Sequence, residues 1–144
     1  MNENFGDFIV RLTENARVSL QHAEKIARET GNGYIGTEHI LLGILAQGTS
    51  VGAKIMADAG VTLQQAELSL QFSSPSPITG KSIKQLSETA LLTLKMAHEQ
   101  AKDLNQDYLG TEHILYSILK QKNARGTTLL RDLHADVSYI MDEL

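Results

Sequence analysis

GYIGTEHILLGILAQ at residues 33–47 and DYLGTEHILYSILKQ at residues 107–121 are one segment written twice. The two agree at ten of fifteen positions and stand 74 residues apart. Carried outward without a gap, the same offset pairs Ala16 with Ala90, Leu20 with Leu94, Ala23 with Ala97, Ala27 with Ala101, Gly52 with Gly126 and Leu70 with Leu144. The whole chain is therefore one duplicated unit. Two copies are too few for a solenoid, which needs at least about three units to bury its faces, so a closed pseudo-symmetric pair is expected. A chain of this size buries roughly two-thirds of its unfolded surface and folds without staples.

The repeated unit reads as helical. Ala16, Leu20, Ala23 and Ala27 recur at spacings of three and four, which lines them along one helix face. Thr13 is placed to cap that helix and Gly31 to Gly33 to end it. A second helix is predicted from Thr37, whose hydroxyl would cap it, through Ile40, Leu41, Ile44 and Leu45 to Gln47, with Gly48 as its stop. A third covers about Val51 to Ala59, closed by Gly60, and a fourth about Thr62 to Phe72. Ser87, Thr111, Ala124 and Ala135 would open the corresponding four. The expected fold is all-α: two tandem four-helix repeats with pseudo-twofold symmetry in a single domain, 1–144. Repeat one is set at 5–72 and repeat two at 87–144. The segment 73–86 holds both prolines, Pro75 and Pro77, and reads as an extended linker with a small basic excess from Lys81 and Lys84.

Composition narrows the function. No cysteine is present, so there is no disulfide framework, thiolate metal site or cysteine nucleophile. The N-terminal MNENFGDFIVRL is acidic and lacks a long apolar run, so it reads neither as a signal peptide nor as an anchor. No stretch approaches the roughly 18 apolar residues of a membrane span. A cytoplasmic protein with no membrane partner is expected. The net charge of −4 argues against nucleic acid, which needs a basic face.

The chemistry gathers in the repeated Gly-Thr-Glu-His. Glycine permits a tight entry, threonine caps, and a glutamate in the first turn is favoured by the positive end of the helix dipole. These properties alone make Gly36-Thr37-Glu38-His39 and Gly110-Thr111-Glu112-His113 good helix starts. Duplication of all four letters asks for more, because a cap needs only the threonine. Metal ligation on a helix requires partners three or four residues apart, and neither Glu38-His39 nor Glu112-His113 offers that. His39 and His113 are expected inside the repeat with their ring nitrogens bonded to backbone. There is no phosphate-binding G-x-x-x-x-G-K-[ST] loop and no G-x-S-x-G elbow, so no catalytic residue, cofactor or metal is assigned. Tyr34 and Tyr108 are expected to staple the helix entries, and Phe5 and Phe8 to cover the junction between repeats or, as the alternative, to form part of an adaptor-binding surface.

The doubled (Y)-(I/L)-G-T-E-H-I-L motif, with a hydroxyl residue opening a long helix 25 residues before each glutamate, resembles the N-terminal domain of the ClpC and ClpA class of Hsp100 AAA+ unfoldases. The likeness covers about residues 5–144 and is nearest the ClpC branch, in which both copies keep GTEH. It implies a recognition domain rather than an enzyme, one that recruits protein clients and adaptor proteins for an unfoldase ring and, indirectly, a ClpP-type peptidase. In the ClpC branch it also implies two equivalent sites for arginine-phosphorylated proteins, pairing each glutamate with a helix-opening hydroxyl. On this chain the implied residues are Thr13, Thr37 and Glu38, and Ser87, Thr111 and Glu112. Thr13 is paired with Glu38, and Ser87 with Glu112. The physical logic is that a helix N-terminus and a hydroxyl hold a phosphate, while a carboxylate takes the planar guanidinium.

Departures from the family pattern are visible. Asn15 and Thr89 stand where the family commonly has a basic residue, and Ser87 replaces a threonine. A less cationic phosphate pocket and weaker phosphoarginine binding are expected in one or both repeats. The turn after the second copy, KQKNARG, is basic through Lys120, Lys122 and Arg125, and would favour acidic partners. The close at Met141 to Leu144 without a following linker mildly favours a fragment of a longer protein. The alternative is a free-standing homologue that sequesters ligands or competes for adaptors and so regulates the protease.

Overall fold

The computed structural model describes residues 11–31, 33–73 and 86–144. Phe5, Phe8, Pro75, Pro77, Lys81 and Lys84 lie outside them. The described residues form eight helices: α1 Glu14–Glu29, α2 Thr37–Gln47, α3 Val51–Asp58, α4 Leu63–Ser73, α5 Glu88–Asp103, α6 Thr111–Lys120, α7 Arg125–Asp132 and α8 Val137–Glu143. Two isolated parallel bridges, Leu12 with Leu109 and Ile35 with Leu86, are the described residues' β-type pairings.

Local sequence accounts for most boundaries. Thr13 Oγ1 accepts from the Ala16 amide at 3.0 Å and Ser87 Oγ from the Ala90 amide at 3.0 Å, so both long helices open on a hydroxyl cap. Ser50 and Thr62 do the same for α3 and α4. The last helix opens one residue later than expected, because Asp136 rather than Ala135 offers a side-chain acceptor, taking the Tyr139 amide at 3.1 Å. The helix ends differ between copies. Gly48 closes α2 in the left-handed region at φ 86°, whereas its equivalent, Lys122, lies beyond an earlier stop, with α6 ending at Lys120 and Gln121 extended.

The repeats interlock rather than sit side by side. Helix α2 packs on α1, α3 and α4 of its own copy and also on α5, α6 and α7 of the other. The symmetry-related contacts, α6 on α1 and on α3, are present too. Residues Thr37 to Ile44 of α2 are buried on every side, which is why this helix is apolar all round instead of striped. Ile40, Leu41 and Ile44, with Ile114, Leu115 and Ile118, are fully enclosed, as their spacing implies. Leu45 is half-buried, and Leu42, absent from the sequence-based core, is fully enclosed in its place.

The hydroxyls of Thr37 and Thr111 do not cap their own helices. Thr37 Oγ1 accepts from the Gly126 amide at 2.9 Å, and Thr111 Oγ1 from the Gly52 amide at 3.0 Å. Each threonine thus satisfies a free amide in the first turn of α7 or α3 in the opposite repeat. A Cβ at Gly126 would lie 3.0 Å from the Thr37 carbonyl, and one at Gly52 3.1 Å from Thr111 Oγ1. Glycine at both positions is what lets the two copies approach.

Candidate functional site

The helix entries of α2 and α6 are held by their histidines. His39 Nδ1 accepts the Gly36 amide at 2.8 Å and His113 Nδ1 the Gly110 amide at 3.0 Å. This is the backbone bonding expected of both rings, and it does the capping assigned to threonine. His113 also pairs through Nε2 with Gln106 and lies 5.3 Å from the Tyr108 ring. Burial, followed by the nearby Arg125 charge, holds His39 down at about 4. Burial also lowers His113, against the opposing pull of Glu112.

Each glutamate folds back over its glycine. A Cβ at Gly36 would sit 2.4 Å from Glu38 Oε1, and a Cβ at Gly110 2.4 Å from Glu112 Oε1. The motif therefore needs glycine to admit the carboxylate, not only to start a helix. Glu38 is only 3% exposed, whereas Glu112 is half-buried. Burial pushes the Glu38 carboxyl above the ordinary carboxylate range, while its own backbone amide and Arg125 pull it down.

The pairing of glutamates with hydroxyls crosses between repeats, which corrects the pairing drawn from sequence. The Ser87 amide donates to the Ile35 carbonyl at 2.9 Å, placing Ser87 beside the Gly36–Glu38 entry. The Thr13 amide donates to the Leu109 carbonyl at 3.0 Å, placing Thr13 beside Gly110 and Glu112. Glu38 thus shares a site with Ser87, and Glu112 with Thr13. A cleft of ≈ 400 Å³ opens at the first of these, lined by Tyr34, Glu38, Ser87, Thr89, Lys122 and Arg125 among others. Tyr34 therefore faces the cleft at 36% exposure and does not staple the core.

Sequence reasoning missed Arg125 as a site residue. Its Nε lies 3.4 Å from Glu38 Oε2, and among the described residues Glu38 Oε1 has no hydrogen-bond partner. Of the basic turn, Lys122 and Arg125 line this cleft while Lys120 stands over the Tyr116 ring, so the cleft is more cationic than Thr89 alone suggested. Thr37 lines the cleft but spends its hydroxyl on Gly126, and Thr111 likewise on Gly52, so these two serve the interface between copies.

Residues 11–77 and 85–144 each match the model of the Clp repeat (R) N-terminal domain. The chain belongs to the Clp repeat N-terminal domain family. This Clp N-domain is 30% identical over 136 residues to the chloroplastic chaperone protein ClpC1 of Arabidopsis thaliana, covering 93% of this chain and 14% of that protein. A chloroplastic Clp protease ATP-binding subunit of Brassica napus, a ClpA homologue, is also 30% identical, with 15% of its length covered. The chain thus spans about one-seventh of these relatives. Its fold is that of the N-terminal domain of the chaperone ClpD from Arabidopsis thaliana, at TM-score 0.81, 20% identity and coverage of 94% and 95% of the two chains. The N-domain of ClpV in complex with a VipB peptide shares it too, at TM-score 0.76 and 15% identity, covering 99% of this chain and 94% of that one. A Clp N-domain is a recognition module. Among the described residues no group of three acidic or imidazole side chains is placed to hold a metal.

Proposed function

We propose that this Clp N-domain recruits protein clients and adaptors for a ClpC-like ATP-driven unfoldase and its peptidase, through the two sites that cross between its repeats. The observation that carries this reading is the convergence, at each site, of a glutamate folded over glycine with a hydroxyl that opens the long helix of the other copy. A carboxylate and a helix N-terminus brought to one site suit a peptide group that is cationic at one end and anionic at the other. Phosphoarginine is such a group. The site of Glu112 and Thr13 is the one left open to it, because Val51 stands where the other site has Arg125. Capture of a VipB peptide by a ClpV N-domain supports peptide binding by the shared fold.

Calorimetric titration with a phosphoarginine peptide and its unphosphorylated twin tests the proposal. The expected result is phosphate-dependent binding that is lost on Glu112→Ala and weakened on Thr13→Ala, in proteins whose circular dichroism is unchanged. Equal binding of the two peptides, or no binding by the folded wild type, would remove phosphoarginine from the account.

A further inference from the structure

The two sites have diverged in charge. In the first, Glu38 is accompanied by Lys122 and Arg125, one negative against two positive side chains. The equivalent positions of the second, 74 residues earlier, hold Gly48 and Val51 beside Glu112, which leaves a single negative charge. At these equivalent positions the first copy carries one net positive charge and the second one net negative charge.

Arg125 matters because of what it occupies. Its guanidinium stands against the carboxylate that would otherwise take a ligand's guanidinium, with a buried Glu38 as its partner. A second guanidinium entering the cleft would have to displace Arg125 while meeting Lys122, and would leave two cations facing it. An anion meets the reverse situation. Arg125 meets Glu38 through Nε at 3.4 Å, and its guanidinium remains half exposed to the cleft. Half of that side chain is exposed, Lys122 and Thr89 are exposed beside it, and the Ser87 hydroxyl completes the wall. Both cations lie at or just beyond the turn that follows the end of α6 at Lys120.

We propose that the first cleft is a receptor for an oxyanion carried by a protein segment, a carboxylate or a phosphate, with Arg125 as an internal guanidinium that fills Glu38. This rests on the recruiting role proposed above and gives its two sites different ligand classes. The cleft around Glu38 takes acidic segments, and the site at Glu112 keeps the guanidinium-reading carboxylate.

The test uses amide chemical shifts of the full chain titrated with a glutamate-rich peptide, a phosphoserine peptide and a neutral control of the same length. Both anionic peptides are expected to move the Ser87, Thr89 and Arg125 amides and to leave Thr13 and Val51 in place. Relative response to the two separates carboxylate from phosphate as the natural group. Arg125→Val, which copies the other site at an exposed position, should weaken both by about ten-fold or more, the worth of one charge-assisted contact. Val51→Arg should create anion binding at the second site. Unchanged anion binding in Arg125→Val, no response to either anionic peptide, or phosphoarginine binding at the first cleft that falls on Glu38→Ala would each overturn the proposal. Loss of phosphoarginine binding at Glu112 with the anion response intact would instead remove only the reading of the second site.

Discussion

The Nδ1 atom of His39 accepts the Gly36 amide, so the ring proton of the neutral form stands on Nε2, and a second proton would have no unblocked nitrogen to take. With the ring fully buried and its folded pKa near 4, the unfolded chain binds a proton that the folded one refuses between pH 6.5 and 4. The stability His39 contributes is therefore complete above pH 6.5 and is lost as pH falls through that window, on the order of 3 kcal/mol in all. Glu38 acts in the opposite sense. Its raised folded pKa makes stability fall as pH climbs past its ordinary value of 4.5, which partly offsets the histidine. Ring-proton shifts followed by NMR should give His39 a midpoint near 4, and a midpoint at 6.5 would contradict the cap. At this scale the letters of GTEH were partly legible. The histidines' backbone bonding followed from the absence of a metal-ligand spacing. The threonine was misread, because a hydroxyl before a helix looks the same whether it caps its own helix or another.

Helices α3 and α7 depend on those threonines. Thr37→Val or Thr111→Val keeps the shape but strips the acceptor from a buried Gly126 or Gly52 amide, at a cost of about 1–3 kcal/mol each. Urea denaturation checks this, and a change within experimental error would show that the interface is held by packing alone. A different device closes the helices of the second repeat. Asn105 at φ 59° and His134 at φ 61° take the left-handed places that Gly31 and Gly60 fill in the first. Asparagine tolerates that region, whereas histidine is strained there, so His134→Gly should stabilise the protein by about 1 kcal/mol. A drop in melting temperature would argue that the His134 side chain holds the turn. Element existence was legible from the alanine and leucine periodicity. The early end of α6 was not, since Lys120, Gln121 and Lys122 carry no glycine or proline to mark a stop.

The molecule as a whole is a pair of repeats whose sites are completed by each other. The 74-residue offset established the duplication and the eight helices, and even which residues are equivalent. It could not show the crossing. Thr13 with Glu38 and Thr13 with Glu112 obey the same offset when their partners are exchanged, and only the bridges of Leu12 to Leu109 and Ile35 to Leu86 distinguish them. The misplacement of Arg125 has the same origin, because a residue near Glu112 in sequence stands against Glu38 in space. Charge composition summed over each half hides this exchange entirely. The central claim is accordingly that ligand sites form across the repeats. A chemical-shift map of the full chain with a phosphoarginine peptide tests it most directly. The account predicts that amides from Gly110 to His113 move together with those from Thr13 to Ala16. Shifts that join Thr13 to Gly36 and Glu38, or that leave Thr13 unmoved while Glu112 responds, would contradict it.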